Sequence, residues 1–146
     1  MFTELTRRAL GVLASAALLA AATPALAGVI SFKAELKGSY EVPPNDSKAT
    51  GSIAATYDAA TKKFAYAITY AGLSGPATVA HFHGPAAPGA NGGPELMIPG
   101  KPSSPIKGEA TLNAAQATDL EKGLWYLNIH TATHPTGEIR GQLTRE

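Results

Sequence analysis

From residue 29 onward, apolar and polar positions alternate with the two-residue period of half-buried strands. Val29–Leu36 opens the pattern, with Ile30, Phe32 and Ala34 on one face. Ile53, Ala55 and Tyr57 continue it, and Asp58–Lys62 reads as a hairpin connection to the next strand. Phe64, Tyr66, Ile68 and Tyr70 then alternate strictly with smaller partners, the strongest strand signal in the chain. Ala77–His83 and Ile106–Leu112 are further strands, Glu95–Ile98 is a short extended piece, and Leu124–His130 and Glu138–Leu143 close the chain. Asn113–Lys122 is the one helical candidate: Asn113 caps it, Gln116 completes a variant capping box, and Gly123 ends it. About seven short strands at regular spacing predict a β-sandwich or barrel.

The breaks are informative too. Glu41-Val42-Pro43-Pro44-Asn45-Asp46 is a turn-rich interruption. Gly84–Pro94, crowded with Gly, Pro and Ala, predicts a long loop, and long loops in compact domains tend to be functional or mobile.

The first 27 residues follow another logic. Arg7 and Arg8 precede an apolar run from Leu10 to Ala22, Pro24 breaks it, and Ala25-Leu26-Ala27 offers small residues for cleavage. That order predicts a secretory signal peptide over 1–27 and a single mature domain over 28–146. A run of about 13 residues is too short for a membrane-spanning helix, which takes about 20. Thr6-Arg7-Arg8-Ala9-Leu10 reads either as a short twin-arginine signal or as ordinary leader charge. The expected location is periplasmic or secreted.

Without the leader, basic and acidic side chains are equal in number. No basic stripe suits nucleic acid, and no charge run suits a membrane surface. Cysteine is absent, which excludes thiolate metal sites, Cys nucleophiles and stabilising disulfides. There is no GxSxG and no phosphate-cradling loop, since Gly92-Gly93-Pro94 lacks the lysine and helix start of a P-loop.

The candidate chemistry lies in the four histidines, which fall in two stretches, Ala80-His81-Phe82-His83-Gly84 and His130-Thr131-Ala132-Thr133-His134-Pro135. His81 and His83 are two apart on a predicted strand, so both imidazoles share a face while Phe82 enters the core. Trp125, Leu127 and Ile129 form the apolar face of a later strand, which leaves His130 on its outer face or at its end. If the two strands are neighbours, His81, His83, His130 and His134 can converge on one metal ion. Neutral imidazoles suit copper, with zinc as the alternative. Asn128 or Thr131 could orient a ligand ring. Met97, the one methionine after the leader, reads first as filler under the long loop and otherwise as a soft ligand for Cu(I). Glu138 and Arg140 share a face and read as an ion pair anchoring loops, with a place beside a metal as the other reading. Trp125 and the tyrosines read as core.

At these segments the chain resembles the CHRD domain family, named from chordin and common in bacterial exported proteins. The resemblance rests on His81-Phe82-His83-Gly84-Pro85-Ala86, Gly93-Pro94, Leu112–Gly123, Trp125–Thr131 and Pro135–Leu143, with Phe32–Ala34 and Gly38–Pro43 before them. It implies an all-β, immunoglobulin-like antiparallel sandwich with one short helix, a fold compared with that of Cu,Zn superoxide dismutase. In chordin the repeats belong to an extracellular growth-factor-binding protein; no such partner follows for this chain. Dismutases also carry an HxH strand, but this sequence lacks their disulfide cysteines and any clear set of zinc ligands. Three functions stand: an exported copper-binding protein, a structural or interaction module without metal, and a dismutase-type copper enzyme. A catalytic role is the less favoured.

Overall fold

The computed structural model describes residues 28–146; the leader and its cleavage site lie outside the described residues. Nine strands form one antiparallel sheet that curls on itself into an all-β sandwich: β1 Val29–Lys37, β2 Thr50–Asp58, β3 Lys63–Ala71, β4 Ala77–Gly84, β5 Gly93–Met97, β6 Ile106–Thr111, β7 Tyr126–Thr131, β8 Ile139–Gln142 and β9 Thr144–Arg145. The order across the sheet is β5-β4-β7-β8-β1-β2-β3-β6, with β9 also paired to β1. The two-residue β9 has no counterpart in the alternation, being too short to carry a period.

The alternating apolar faces meet in the middle. Phe64 and Tyr66 of β3 pack against Phe82 of β4, with ring centroids 5.2 and 5.1 Å apart. Trp125, just before β7, meets Phe64 edge-on at 5.8 Å. Rings from opposite ends of the strand order are therefore in contact, which closes the sandwich. Leu36, Ile53, Ile68, Leu127, Ile129 and Ile139 complete the core. With no disulfide, burial of these side chains stabilises the fold, each contributing about 1.5–3 kcal/mol before chain entropy is set against it.

The helix α1, Ala114–Glu121, carries the expected capping box. Asn113 Oδ1 accepts from Gln116 N–H at 2.9 Å, and Gln116 Oε1 accepts from Asn113 N–H at 3.1 Å. Gly123, at φ 72°, ends it. Its buried Ala117 and Leu120 join the core.

The sheet narrows at one seam. β1 meets β8 only at Lys37–Arg140, and there Gly141 lies so close to the Glu35 carbonyl that no side chain fits between. This seam places β8 and its polar residues beside the turn-rich segment that follows β1.

Candidate metal centre

Strands β4, β7 and β8 are adjacent, and their register decides what their outer faces share. His81 pairs with Asn128, His83 with Tyr126 and Val79 with His130; on the far side of β7, Asn128 pairs with Arg140. His81, His83, Tyr126, Asn128, His130 and Arg140 thus share one outer face, opposite Phe82, Leu127 and Ile129. Alternation predicts this division but not the burial of its polar side. Every residue of β7 is buried, and Arg140 is only 2% exposed.

Two loops cover that face. Arg140 donates to Asn91 Oδ1 at 2.8 Å and to the Ala90 carbonyl at 2.6 Å, and its guanidinium lies 3.4 Å from the Tyr126 ring centre. Asn91 Nδ2 donates to the Val42 carbonyl, tying the Gly84–Pro94 loop to the segment after β1. Asn45 Nδ2 donates to the Gly137 and Glu138 carbonyls. Arg140 of β8 and the backbone just before that strand thus hold the cover.

Under it, three imidazoles converge. His81, His83 and His130 each offer a ring nitrogen, and these atoms lie within 4.8 Å of one another. His81 Nδ1 is 3.2 Å from His130 Nε2. Two nitrogens bound at about 2.0–2.1 Å to a tetrahedral ion stand about 3.3 Å apart, so this pair already has ligand spacing. The backbone fixes two of the rings. His130 Nδ1 faces the Pro135 carbonyl at 2.9 Å, and His83 Nδ1 faces the Gly92 carbonyl at 3.0 Å. A proton on each Nδ1 satisfies those carbonyls and leaves Nε2 as the lone-pair atom. His83 Nε2 is buried and has no hydrogen-bond partner. The His83 ring stacks flat on Tyr126, with centroids 4.8 Å apart, which limits its rotation.

The surroundings favour neutral rings. Burial, then the charges of His130 and His83, hold the His81 imidazole below its usual pKa. Burial also lowers that of His83, and the His130 and Arg140 charges add to this against the raising effect of the Gly92 and Asn128 hydrogen bonds. Neutral imidazole is the form that binds a metal ion.

Asn128 neighbours the His130 ring, its Oδ1 3.0 Å from Nε2, but it meets the nitrogen that would face the ion; the ring is oriented from behind by the Pro135 carbonyl instead. Thr131 does not orient it either: its hydroxyl donates to Glu138 at 2.6 Å. His134 is not brought to the trio. It sits in the turn after β7, its N–H donating to Thr131 Oγ1 and its carbonyl accepting from Thr131 and Gly137 N–H. Its ring nitrogens are not among those that converge.

Three other expectations are corrected. Glu138 and Arg140 make no ion pair with each other; ion pairs among the described residues are Lys33–Glu146, Lys37–Glu35 and Lys63–Glu109. Each instead anchors different segments. Tyr126 is buried on the outer face rather than in the core, and Tyr40 is exposed. Met97 fills no gap, being 55% exposed.

Glu41 went unnoticed in the sequence, because its place in a proline-rich break gives no period to orient it. It is buried with Oε1 unpartnered, beside Asn128 and against Gly137, whose φ of 130° and lack of Cβ allow the approach. Burial pushes its carboxyl up to about 7, against the pull of the Arg140 charge and the Asn128 amide. The folded chain thus keeps a proton that the unfolded chain has lost, so the contribution of Glu41 to stability falls as pH rises from about 4.5 to about 7 and is level above. Glu41→Gln should remove that slope and gain about 2–3 kcal/mol on the wild type by pH 7.5. Urea midpoints at pH 4.5 and 7.5 check this; parallel shifts in both proteins would rule out the buried carboxyl as their source.

Among the described residues, no helix is long and apolar enough to cross a membrane. Comparison with curated proteins and with solved structures gives no match. Comparison with protein families matches residues 32–143 to the CHRD domain, a span that runs from β1 through β8 and contains all three converging histidines. The chain belongs to the CHRD domain family.

Proposed function

We propose that this is an exported metal-binding protein that holds one ion, copper in preference to zinc, through His81, His83 and His130 for periplasmic or extracellular metal handling. The observation that carries it is the convergence of three imidazoles, two nitrogens at ligand spacing and a third buried without a partner. An unpaired buried polar atom costs about 1–3 kcal/mol, and a bound cation would remove that penalty for His83. The donor set contains only imidazoles, which suits Cu and Zn rather than Ca or Mg. Export rests on the leader pattern over 1–27.

The test is metal uptake by the purified mature domain beside a His81→Ala/His83→Ala variant. The wild type should take up one equivalent of copper or zinc and the variant none at the same free-metal level. Equal uptake by both proteins would leave a CHRD module without this site.

A further inference from the structure

We propose that Met97 supplies the fourth ligand of this centre, a thioether, and that the ion held there is Cu(I). This rests on the metal-binding role proposed above and assigns the ligand that distinguishes one metal from another.

Placement comes from the register of the edge strand. β5 pairs with β4 so that Phe82 faces Leu96 and His81 faces Met97. Leu96 packs against the core, so Met97 lies on the opposite, outer face with the imidazoles. Directly opposed residues of an antiparallel pair have Cβ atoms about 4.5–5.5 Å apart. His81 is therefore flanked in register by Met97 on one side and Asn128 on the other. The methionine side chain is unbranched and adaptable, which lets its sulfur reach over its cross-strand neighbour.

Burial gives Met97 no structural reason to be there. It is one of three exposed large apolar side chains among the described residues, and the other two, Val29 and Tyr40, belong to β1 and the turn after it. The core does not hold its side chain, which leaves the sulfur free to turn toward the imidazoles.

Charge selects the oxidation state. Three imidazoles and a thioether are neutral, and the group of converging side chains contains no carboxylate. The Arg140 guanidinium lies over the Tyr126 ring on which His83 stacks. In a partly buried site with no anionic ligand and a cation nearby, a monovalent ion costs less to hold than a divalent one. Thioether sulfur is soft and favours Cu(I). The ion arrives already reduced, and binding involves no electron transfer.

The mature protein is titrated anaerobically with Cu(I) against a competing Cu(I) chelator, and aerobically with Zn(II), as wild type, Met97→Leu and His81→Ala/His83→Ala. Leucine at this exposed position keeps the bulk and removes only the sulfur. Met97→Leu should weaken Cu(I) by about tenfold or more and leave Zn(II) within about twofold. X-ray absorption of the Cu(I) form should show sulfur bonded to copper in the wild type only. If the histidine variant takes up Cu(I) as well as the wild type, the metal function itself fails. If the histidines are required but Met97→Leu binds Cu(I) unchanged and no sulfur is bonded, the thioether ligand alone is overturned.

Discussion

Glu138→Ala is expected to lower the stability of the domain by about 3 kcal/mol, a fall in Tm of roughly 10 °C or more for a chain of this size. Glu138 has no exposed surface. Its carboxylate accepts from the Ser74 N–H at 2.9 Å, the Ser74 hydroxyl at 2.7 Å, the Thr131 hydroxyl at 2.6 Å and the Ser47 hydroxyl at 2.8 Å. These partners come from the loop before β2, the turn before β4 and the end of β7, so one side chain clasps three segments to β8. Hydrogen bonds to a charged group are worth about 1.5–3 kcal/mol each when made, and donors left bare in a buried site add their own cost. Alanine removes the acceptor for all of them together, so the loss is that of a network rather than of a single bond.

The same clasp sets acid stability. Burial opposes the Glu138 charge, but the hydrogen bonds from Ser74, Thr131 and Ser47 outweigh it and hold the carboxyl down to about 2. A carboxyl depressed in the fold stabilises above its unfolded pKa, here 4.5, and that contribution is lost as pH falls toward 2. The wild type should lose stability steeply across that window, and Glu138→Ala should lose much less. Urea denaturation at pH 7 and pH 3 measures both effects. A cost below 1 kcal/mol at pH 7 would mean that water satisfies these donors and that the clasp is only geometric.

Much of the scaffold was legible because its signals are local. Strict alternation at Phe64, Tyr66, Ile68 and Tyr70 marks β3, and Asn113 with Gln116 and Gly123 marks α1 at both ends. The shared face of His81 and His83 follows from strand geometry alone. The neighbouring positions of β4 and β7 required the fold, since period two says which way a side chain points and not which strand lies beside it. What covers the outer face was not legible at all. Alternation labels Asn128, His130 and Arg140 as outward, and outward normally means solvent; here all three are buried, Arg140 under the 84–94 loop, Asn128 beside Glu41 and His130 against the turn at Pro135. Those loops carry no period, so the burial of Glu41 and the placing of Tyr126 under His83 emerge only in three dimensions. His134 shows the opposite failure. Closeness in sequence to His130 suggests a shared ion, but the His134 ring is not among the three that converge.

His130→Ala is expected to weaken metal binding by about a hundredfold or more, and His134→Ala to change it by less than about twofold. The difference separates the three-histidine centre from a general attraction of metal to histidine. His130 is tied into the group at both ring nitrogens: its Nε2 stands 3.2 Å from His81 Nδ1, and its Nδ1 is held by the Pro135 carbonyl. Removing it takes away both a donor and the ring that fixes His81 in place. Losing an oriented ligand costs far more than losing an imidazole outside the group, because the remaining rings must then order themselves around the ion. The pH profile carries the same distinction. Because burial and neighbouring charge hold His81 and His83 below their ordinary pKa of 6.5, protons begin to displace the metal only below that value. Affinity should therefore stay level from pH 8 to about 6.5 and fall more steeply than one proton per ion beneath it. Calorimetric titration of zinc into the wild type and both single variants at pH 7.5, 6.5 and 5.5 measures all of this. Equal losses in His130→Ala and His134→Ala, or a decline already under way at pH 7.5, would mean that the ion is held by exposed histidines and not by the covered face of β4 and β7.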